Sequence, residues 1–140
     1  MVKKINQSAY ANALRDSKLK VTDGRLCLLE ALSNYPLSTL PKLEQIVAGT
    51  LDRSNVYRNV DTLVSAGLIK QGFSGFKAIF ELGDTFQPHH HHFFCDNCEK
   101  HIELVGVADL EMMVHNLTNQ MGLKATNHDL SVSGLCRDCK

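Results

Sequence analysis

Ten consecutive residues, His89-His90-His91-His92-Phe93-Phe94-Cys95-Asp96-Asn97-Cys98, carry four imidazoles and two thiols. A second Cys-x-x-Cys pair, Cys136 and Cys139, follows near the C-terminus, with 37 residues between the two pairs. In a Cys-x-x-Cys turn two thiolates can face one ion, and two such turns complete a closed tetrahedral set, the chemistry of a structural zinc. A thiol redox pair or a disulfide is the competing chemistry. Two pairs in one chain favour zinc over either. The histidine run reads as a strand. Side chains alternate along a strand, so His90 and His92 face one way and His89 and His91 the other. The run therefore offers ligands to two different sites rather than one. Its internal position, directly ahead of Phe-Phe-Cys, argues against a purification tag or a solvated loop.

The chain has 140 residues, enough for one ordinary domain or two small ones. No apolar run approaches the roughly 18 residues of a membrane span. The first residues, with Lys3 and Lys4 but no apolar stretch, do not read as a signal peptide, so a cytoplasmic location is expected. The net charge of zero conceals an asymmetry. Residues 1–83 hold eleven Lys/Arg and seven Asp/Glu; residues 84–140 hold four and eight. All seven histidines and four of the five cysteines lie in the second stretch. A basic half beside an acidic, ligand-rich half predicts two domains, 1–83 and 84–140, the first suited to phosphates and the second to cations.

The first half reads as helices and a hairpin. A polar helix is expected over 6–18, with Ala9, Tyr10, Ala13 and Leu14 as its apolar side. Thr22 caps a second helix whose stripe is Leu26, Leu29, Ala31 and Leu32. Cys27 on that helix reads as a small buried hydrophobe. A third begins near Thr39, with Pro41 in its first turn, and buries Leu43, Ile46 and Val47. A fourth follows Asp52 and ends at Gly67, burying Val56, Val60, Leu63 and Val64. Its N-terminal turns carry Arg53, Ser54, Asn55, Tyr57, Arg58 and Asn59. Guanidiniums, short amides and a phenol suit guanine edges, adenine edges and phosphates when a helix enters a major groove end-on. Taken singly, each could equally be a solvated polar residue. Leu68–Gln71 and Lys77–Phe80, around Gly72–Gly75, predict a hairpin. Three helices and a hairpin make a winged helix-turn-helix.

In the second half, 81–88 reads as a hinge, 89–94 as a strand and 100–105 as another. Phe94, Ile102 and Leu104 are expected in a core or interface, with Glu103 on the opposite face. Residues 109–120 predict a helix with Leu110, Met113 and Leu117 as core. Residues 124–132 predict a closing strand that leads to the last two thiols. A small sheet with open edges suggests pairing with a second copy, a homodimer, which also suits a palindromic duplex. The expected fold is α+β: an N-terminal winged helix-turn-helix domain and a small C-terminal α/β dimerisation domain with a structural Cys₄ zinc.

With these motifs the chain resembles the ferric uptake regulator (Fur) family. The resemblance rests on Leu19-Lys20-Val21-Thr22 with Arg25, and on Val56-Tyr57-Arg58 with Ala66-Gly67-Leu68-Ile69. His89 to Cys98 with Lys100 and Ile102-Glu103, then Thr126-Asn127-His128 and Gly134-x-Cys136-x-x-Cys139, complete it. The resemblance implies a metal-responsive repressor that binds double-stranded operator DNA as a homodimer and controls iron or zinc homeostasis genes. It implies Cys95, Cys98, Cys136 and Cys139 as structural Zn²⁺ ligands. It implies Glu81, His90, His92 and Glu103 as a regulatory site for Fe²⁺, Zn²⁺ or Mn²⁺, and His89, His91, Glu111 and His128 as an additional site. It places Tyr57 and Arg58 in the recognition helix and Lys20 in the minor groove. Three departures stand out. The family often supplies a histidine from the loop before the third helix, where this chain has Tyr35-Pro36-Leu37-Ser38. His91 stands where aspartate is frequent. The spacing after Glu81 is long, so Asp84 is an alternative to it.

A peroxide-sensing regulator of the same family is the alternative function; Glu103, rather than aspartate, points away from it. A zinc hydrolase would need a His-Glu-x-x-His motif or a spare general base beside the ligands, and the sequence offers neither. The chain therefore does not read as an enzyme. An interaction module without a DNA role would leave the Arg53–Asn59 face unexplained.

Overall fold

A computed structural model describes residues 7–140 and divides the chain into two compact units, one ending at Pro88 and the other running His89–Lys140. Met1 to Asn6, the start of the first expected helix among them, lie outside the described residues.

The first unit comprises α1 (Gln7–Asp16), α2 (Asp23–Asn34), α3 (Leu40–Ile46), α4 (Arg53–Ser65), β1 (Ile69–Ser74) and β2 (Lys77–Leu82). Side-chain caps start three of the helices. Thr22, Thr39 and Asp52 accept from the backbone N–H of Arg25, Lys42 and Asn55, each satisfying an otherwise orphaned donor. At the far end of α4, Gly67 takes a φ of 73°, the left-handed C′ conformation that stops the helix. The core interleaves Tyr10 and Leu14 of α1, Leu28, Leu29 and Leu32 of α2, Leu43 of α3, and Val56, Val60 and Leu63 of α4. On α2 the buried stripe includes Leu28, whereas Leu26 and Cys27 are only half-buried. β1 and β2 form an antiparallel hairpin in the register Ile69↔Leu82 to Ser74↔Lys77. The strand continues through Glu81 and Leu82, so the expected hinge starts later than Glu81. Phe86 then packs edge-on against Tyr10, ring centroids 5.3 Å apart.

The second unit comprises β3 (His91–Cys95), β4 (His101–Leu104), α5 (Ala108–Gln120) and β5 (Ser131–Gly134), in sheet order β4-β3-β5. β3 pairs antiparallel with β4 and parallel with β5. Three expectations fail here. The closing strand is only Ser131–Gly134, and residues 124–130 have no regular structure. Phe94 is buried, as expected, but it does not share a face with Ile102 and Leu104: the register sets Phe94 opposite His101 and Phe93 opposite Ile102. The alternation was shifted by one residue, which turns a side chain to the other face. Finally, α5 buries no residue completely. Met113 is 67% and Leu117 58% exposed, so its apolar stripe is not core within one chain.

Candidate metal centres

The first cluster grows from two tight turns. After β3, Cys95 N–H donates to Lys100 O at 2.9 Å and Glu99 N–H to Cys95 O at 3.0 Å, closing the loop with Glu99 at φ 57°. After β5, the N–H groups of Cys139 and Lys140 fold back on Cys136 O at 3.0 and 3.1 Å. Asp96 N–H donates to Gly134 O at 2.8 Å and ties the turns together. The four Sγ atoms consequently lie within 4.8 Å of one another. Cys98 and Cys136 Sγ are 3.7 Å apart. A tetrahedron with zinc–sulfur bonds of about 2.3 Å has edges of about 3.8 Å. The Cys98–Cys136 pair thus has the spacing of co-ligands, and all four thiols are free rather than joined in disulfides. Cys136 N–H reaches Cys95 Sγ at 3.4 Å and Asn97 Nδ2 donates to Cys139 Sγ at 3.3 Å, bonds that favour thiolates. The backbone N–H groups of Cys98 and Cys136 draw the Cys95 thiol down to about 6. For Cys98 the Lys100 N–H pulls the same way, but the Cys95 thiolate and burial prevail and push it up to about 11. Without a cation four crowded thiols cannot all ionise, which is the behaviour of a set that a dication completes. Lys100 adds positive charge nearby and is held by Asp138 at 3.4 Å.

The second cluster joins three separate segments. His89 comes from the coil just before β3, His91 from the start of β3, Glu111 from the first turn of α5, and His128 from the coil before β5. His89 Nε2 and His128 Nε2 are 3.1 Å apart, and His128 Nε2 and His91 Nε2 3.3 Å. Glu111 Oε1 lies 2.8 Å from His91, 3.1 Å from His128 and 3.6 Å from His89. A tetrahedron with bonds of about 2.0–2.1 Å has edges of about 3.3–3.4 Å. Inward-facing imidazole lone pairs repel one another unless a cation sits among them. The donor set and its spacing therefore fit a divalent metal. Hydrogen bonding from His91, opposed by burial and aided by His128, holds the Glu111 carboxyl below its usual range. His91 itself is 1% exposed.

The alternation along β3 separates the histidines into two pairs: the His89 and His91 rings are 4.7 Å apart, and so are those of His90 and His92. Glu103 sits on β4 directly opposite His92. It joins neither cluster above. Glu81 is buried at the end of β2, within 3.5 Å of the Gln87 amide. Asp84 is exposed.

On α4, Arg53, Ser54, Tyr57 and Arg58 are exposed. Arg53 lies over the Tyr57 ring at 5.6 Å and 3.9 Å from Glu44. Asn55 is turned back on the helix cap, donating from Nδ2 to Asp52 at 3.0 Å. That bond gives Asn55 a part in the helix start. Lys20 is exposed, and its carbonyl accepts from Arg25 Nη1 at 2.8 Å. Arg25 Nε donates to Asn59 Oδ1 at 3.1 Å, a brace between α2 and α4. Composition gave no sign of that brace.

The sequence profile of the Ferric uptake regulator family matches residues 16–133. A Ferric uptake regulation protein of Yersinia pestis is 35% identical over 130 residues, spanning 89% of this chain and 86% of that relative. Its namesake from Escherichia coli K12 is 32% identical over 136 residues, 91% of this chain and 90% of the relative. The Vibrio cholerae ferric uptake regulator structure aligns with a TM-score of 0.68 at 30% identity, over 90% of this chain and 98% of its own. The Helicobacter pylori structure gives 0.74 at 18% identity, over 99% and 97%, and shows the fold alone.

Proposed function

The chain belongs to the ferric uptake regulator family, and from that premise we propose that it is a metal-responsive repressor that binds operator DNA as a homodimer and controls iron or zinc homeostasis genes. The observation that carries this reading is the convergence of His89, His91, His128 and Glu111 at metal-ligand spacing in one unit, alongside a helix-turn-helix unit with a basic helix face.

Cys95, Cys98, Cys136 and Cys139 hold the structural zinc in this reading. Glu81, His90, His92 and Glu103 are the regulatory ligands, with His89, His91, Glu111 and His128 as the additional set. When bound, the regulatory ion supplies a positive centre that gathers carboxylates and imidazoles from different parts of the chain. Those ligands then favour one arrangement of the two units over others, a population shift. A difference in metal affinity of about 100-fold between arrangements corresponds to about 2.7 kcal/mol. Tyr57 and Arg58 read the major groove, Lys20 reaches the minor groove, and Arg53 and Ser54 engage phosphates. Asn55 and the Arg25–Asn59 brace hold the helix start in position.

Ile102, Met113, Leu117, Leu123 and Val132 are all at least 40% exposed on the second unit. β4 and β5 are both edges of their sheet. An apolar surface of this kind is covered by a second copy in a dimer.

Selection of duplexes from a random pool, in the presence of Fe²⁺, Zn²⁺ or Mn²⁺, tests the reading. Anisotropy with the enriched duplex should show tight binding that a chelator abolishes and that weakens steeply with salt. Failure to enrich any duplex under any of the metals, or binding indifferent to the chelator, refutes it.

A further inference from the structure

The tip of the β1–β2 hairpin is apolar where nothing in the fold asks for it. Ser74 pairs with Lys77, which leaves Gly75 and Phe76 as a two-residue loop. Gly75 takes a φ of 59°, the positive value a type II′ turn requires at its first loop position. Such a turn makes no apolar demand at its second position, yet Phe76 stands there fully exposed. Phe73, at the same end of the hairpin, is 51% exposed. From Ile69 to Phe80 the sequence carries Lys70 and Lys77 and no carboxylate. The hairpin also runs alongside α4. One groove is lined by Tyr57 and Arg58 of α4 together with Gln71, Ala78 and Phe80 of the hairpin. A neighbouring groove is lined by Tyr57, Lys77 and Ala78. Phe73 is paired with Ala78 and so shares its face of the hairpin, while Phe76 directly precedes Lys77. The exposed rings therefore stand beside the helix turns that carry Tyr57 and Arg58.

We propose that Phe76, with Phe73 beside it, is an apolar wedge that enters the minor groove of the duplex next to the major groove read by α4 and partly unstacks one base step there. The inference rests on the DNA-binding reading above. A helix about 10–12 Å across fills a major groove about 12 Å wide. An element packed on the flank of that helix stands over the bordering sugar–phosphate strand, and its tip faces the minor groove beyond. Lysines without carboxylates suit the phosphates, and a phenyl ring suits the gap between two base steps. The wedge adds a specificity that side chains on α4 do not supply. Pyrimidine–purine steps such as TA and CA unstack most easily, so the tip favours one of them in the flank of the site. A lipid surface would also accept an exposed phenyl ring, but the groove shared with Tyr57 and Arg58 favours the duplex.

The test uses the full-length, metal-loaded chain and the duplex enriched in the selection above, with 2-aminopurine placed at successive flanking positions. The unsubstituted chain should raise the fluorescence at one flanking position, where the base loses its stacking partner. Phe76→Ala should abolish that rise and weaken duplex binding by about tenfold. The slope of affinity against salt should stay the same, because no phosphate contact is lost. Phe76→Leu keeps an apolar wedge and should retain most of both signals. Replacing a flanking TA or CA step by a stiffer AA step should weaken the unsubstituted chain but not Phe76→Ala. An unchanged thermal midpoint confirms that each variant is folded. If Phe76→Ala keeps the affinity and the fluorescence rise while Arg58→Ala loses affinity, the inference is wrong and the DNA-binding reading survives. If no duplex is enriched, or Arg58→Ala also changes nothing, that reading falls, and this inference with it. If Phe76→Ala loses binding to phosphatidylglycerol vesicles but not to the duplex, the tip docks on lipid and the inference is overturned.

Discussion

Removing the cysteine zinc should unfold the second unit and leave the first standing. Among the described residues of the second unit, only His91, Phe94, Cys95 and Cys136 are fully buried. Phe94 is the one large apolar side chain in that group. Its burial contributes about 1.5–3 kcal/mol. Structural zinc in small domains contributes about 10–16 kcal/mol at neutral pH. The ion thus outweighs the apolar core of this unit several-fold. The first unit has a core drawn from four helices and the hairpin, and that core includes none of Cys95, Cys98, Cys136 and Cys139. The perturbation is Cys136→Ser, or a zinc chelator at neutral pH, read by amide hydrogen exchange. Reporter amides are Cys95, bonded to Lys100 O, and Asp96, bonded to Gly134 O. Their protection should fall by a factor of at least about 10³, equivalent to roughly 4 kcal/mol. Amides of Leu28 and Val60 inside α2 and α4 should stay within about threefold of their original rates. Sedimentation should show the dimer lost in the same step. Retained protection at Cys95 and Asp96 in zinc-free protein would refute the reasoning. So would opening of α2 and α4 in parallel, because it would mean that the two units share one cooperative core.

Three further outcomes are expected. Gly83→Ala should lower the thermal midpoint of the first unit by the equivalent of about 1–3 kcal/mol, since an added Cβ would stand 2.2 Å from Gly67 O, a backbone atom that cannot swing aside; an unchanged midpoint would count against the packing described. Arg58→Ala should weaken duplex binding by about 1–3 kcal/mol without altering metal content, and a loss confined to the slope of affinity against salt would assign the residue to phosphate rather than to a base. The Glu111 carboxyl, followed by carbon NMR in metal-free protein, should titrate below the ordinary glutamate range because His91 and His128 bond its ionised form. With a folded value below the unfolded one, its contribution to stability is complete above the unfolded value and is lost as pH falls through the folded one; a midpoint at or above the ordinary range contradicts the cluster geometry.

Much of the first unit was legible because its signals are local. Thr22, Thr39 and Asp52 announce helix starts by residue type, and Gly67 announces a stop, whatever the rest of the chain does. The closeness within each cysteine pair follows from spacing, since a two-residue turn leaves little freedom, whereas the meeting of the two pairs depends on the parallel pairing of β3 with β5. Asn55 was harder. As a short amide near a helix start it suits a base edge or a cap equally well, and only the coordinates show it donating to Asp52. His128 could be placed in the additional cluster only by resemblance. It lies in coil, where no periodicity fixes a side chain's direction.

The misreading of α5 has a single physical cause. An apolar stripe repeats every three or four residues whether it is covered by its own chain or by another, so periodicity predicts burial without saying by what. Leu110 and Val114 are half-buried, while Met112, Met113 and Leu117 are exposed. The same ambiguity affected β3 and β4, where a one-residue shift in alternation exchanged Phe93 for Phe94. Both errors fall on elements next to the exposed surface, and that surface is what a thin three-stranded sheet with one helix leaves uncovered. A unit with so few buried side chains needs other sources of order. Two are visible in its residues: a four-thiol set that clamps its ends, and a three-histidine, one-carboxylate set that pins α5 and the coil at His128 to β3. The third, on the proposed function, is a second copy over the apolar face. Because metal and partner both order the same small unit, filling the metal sets should raise the affinity of one copy for the other, and dimerisation should raise affinity for the metal by the same factor.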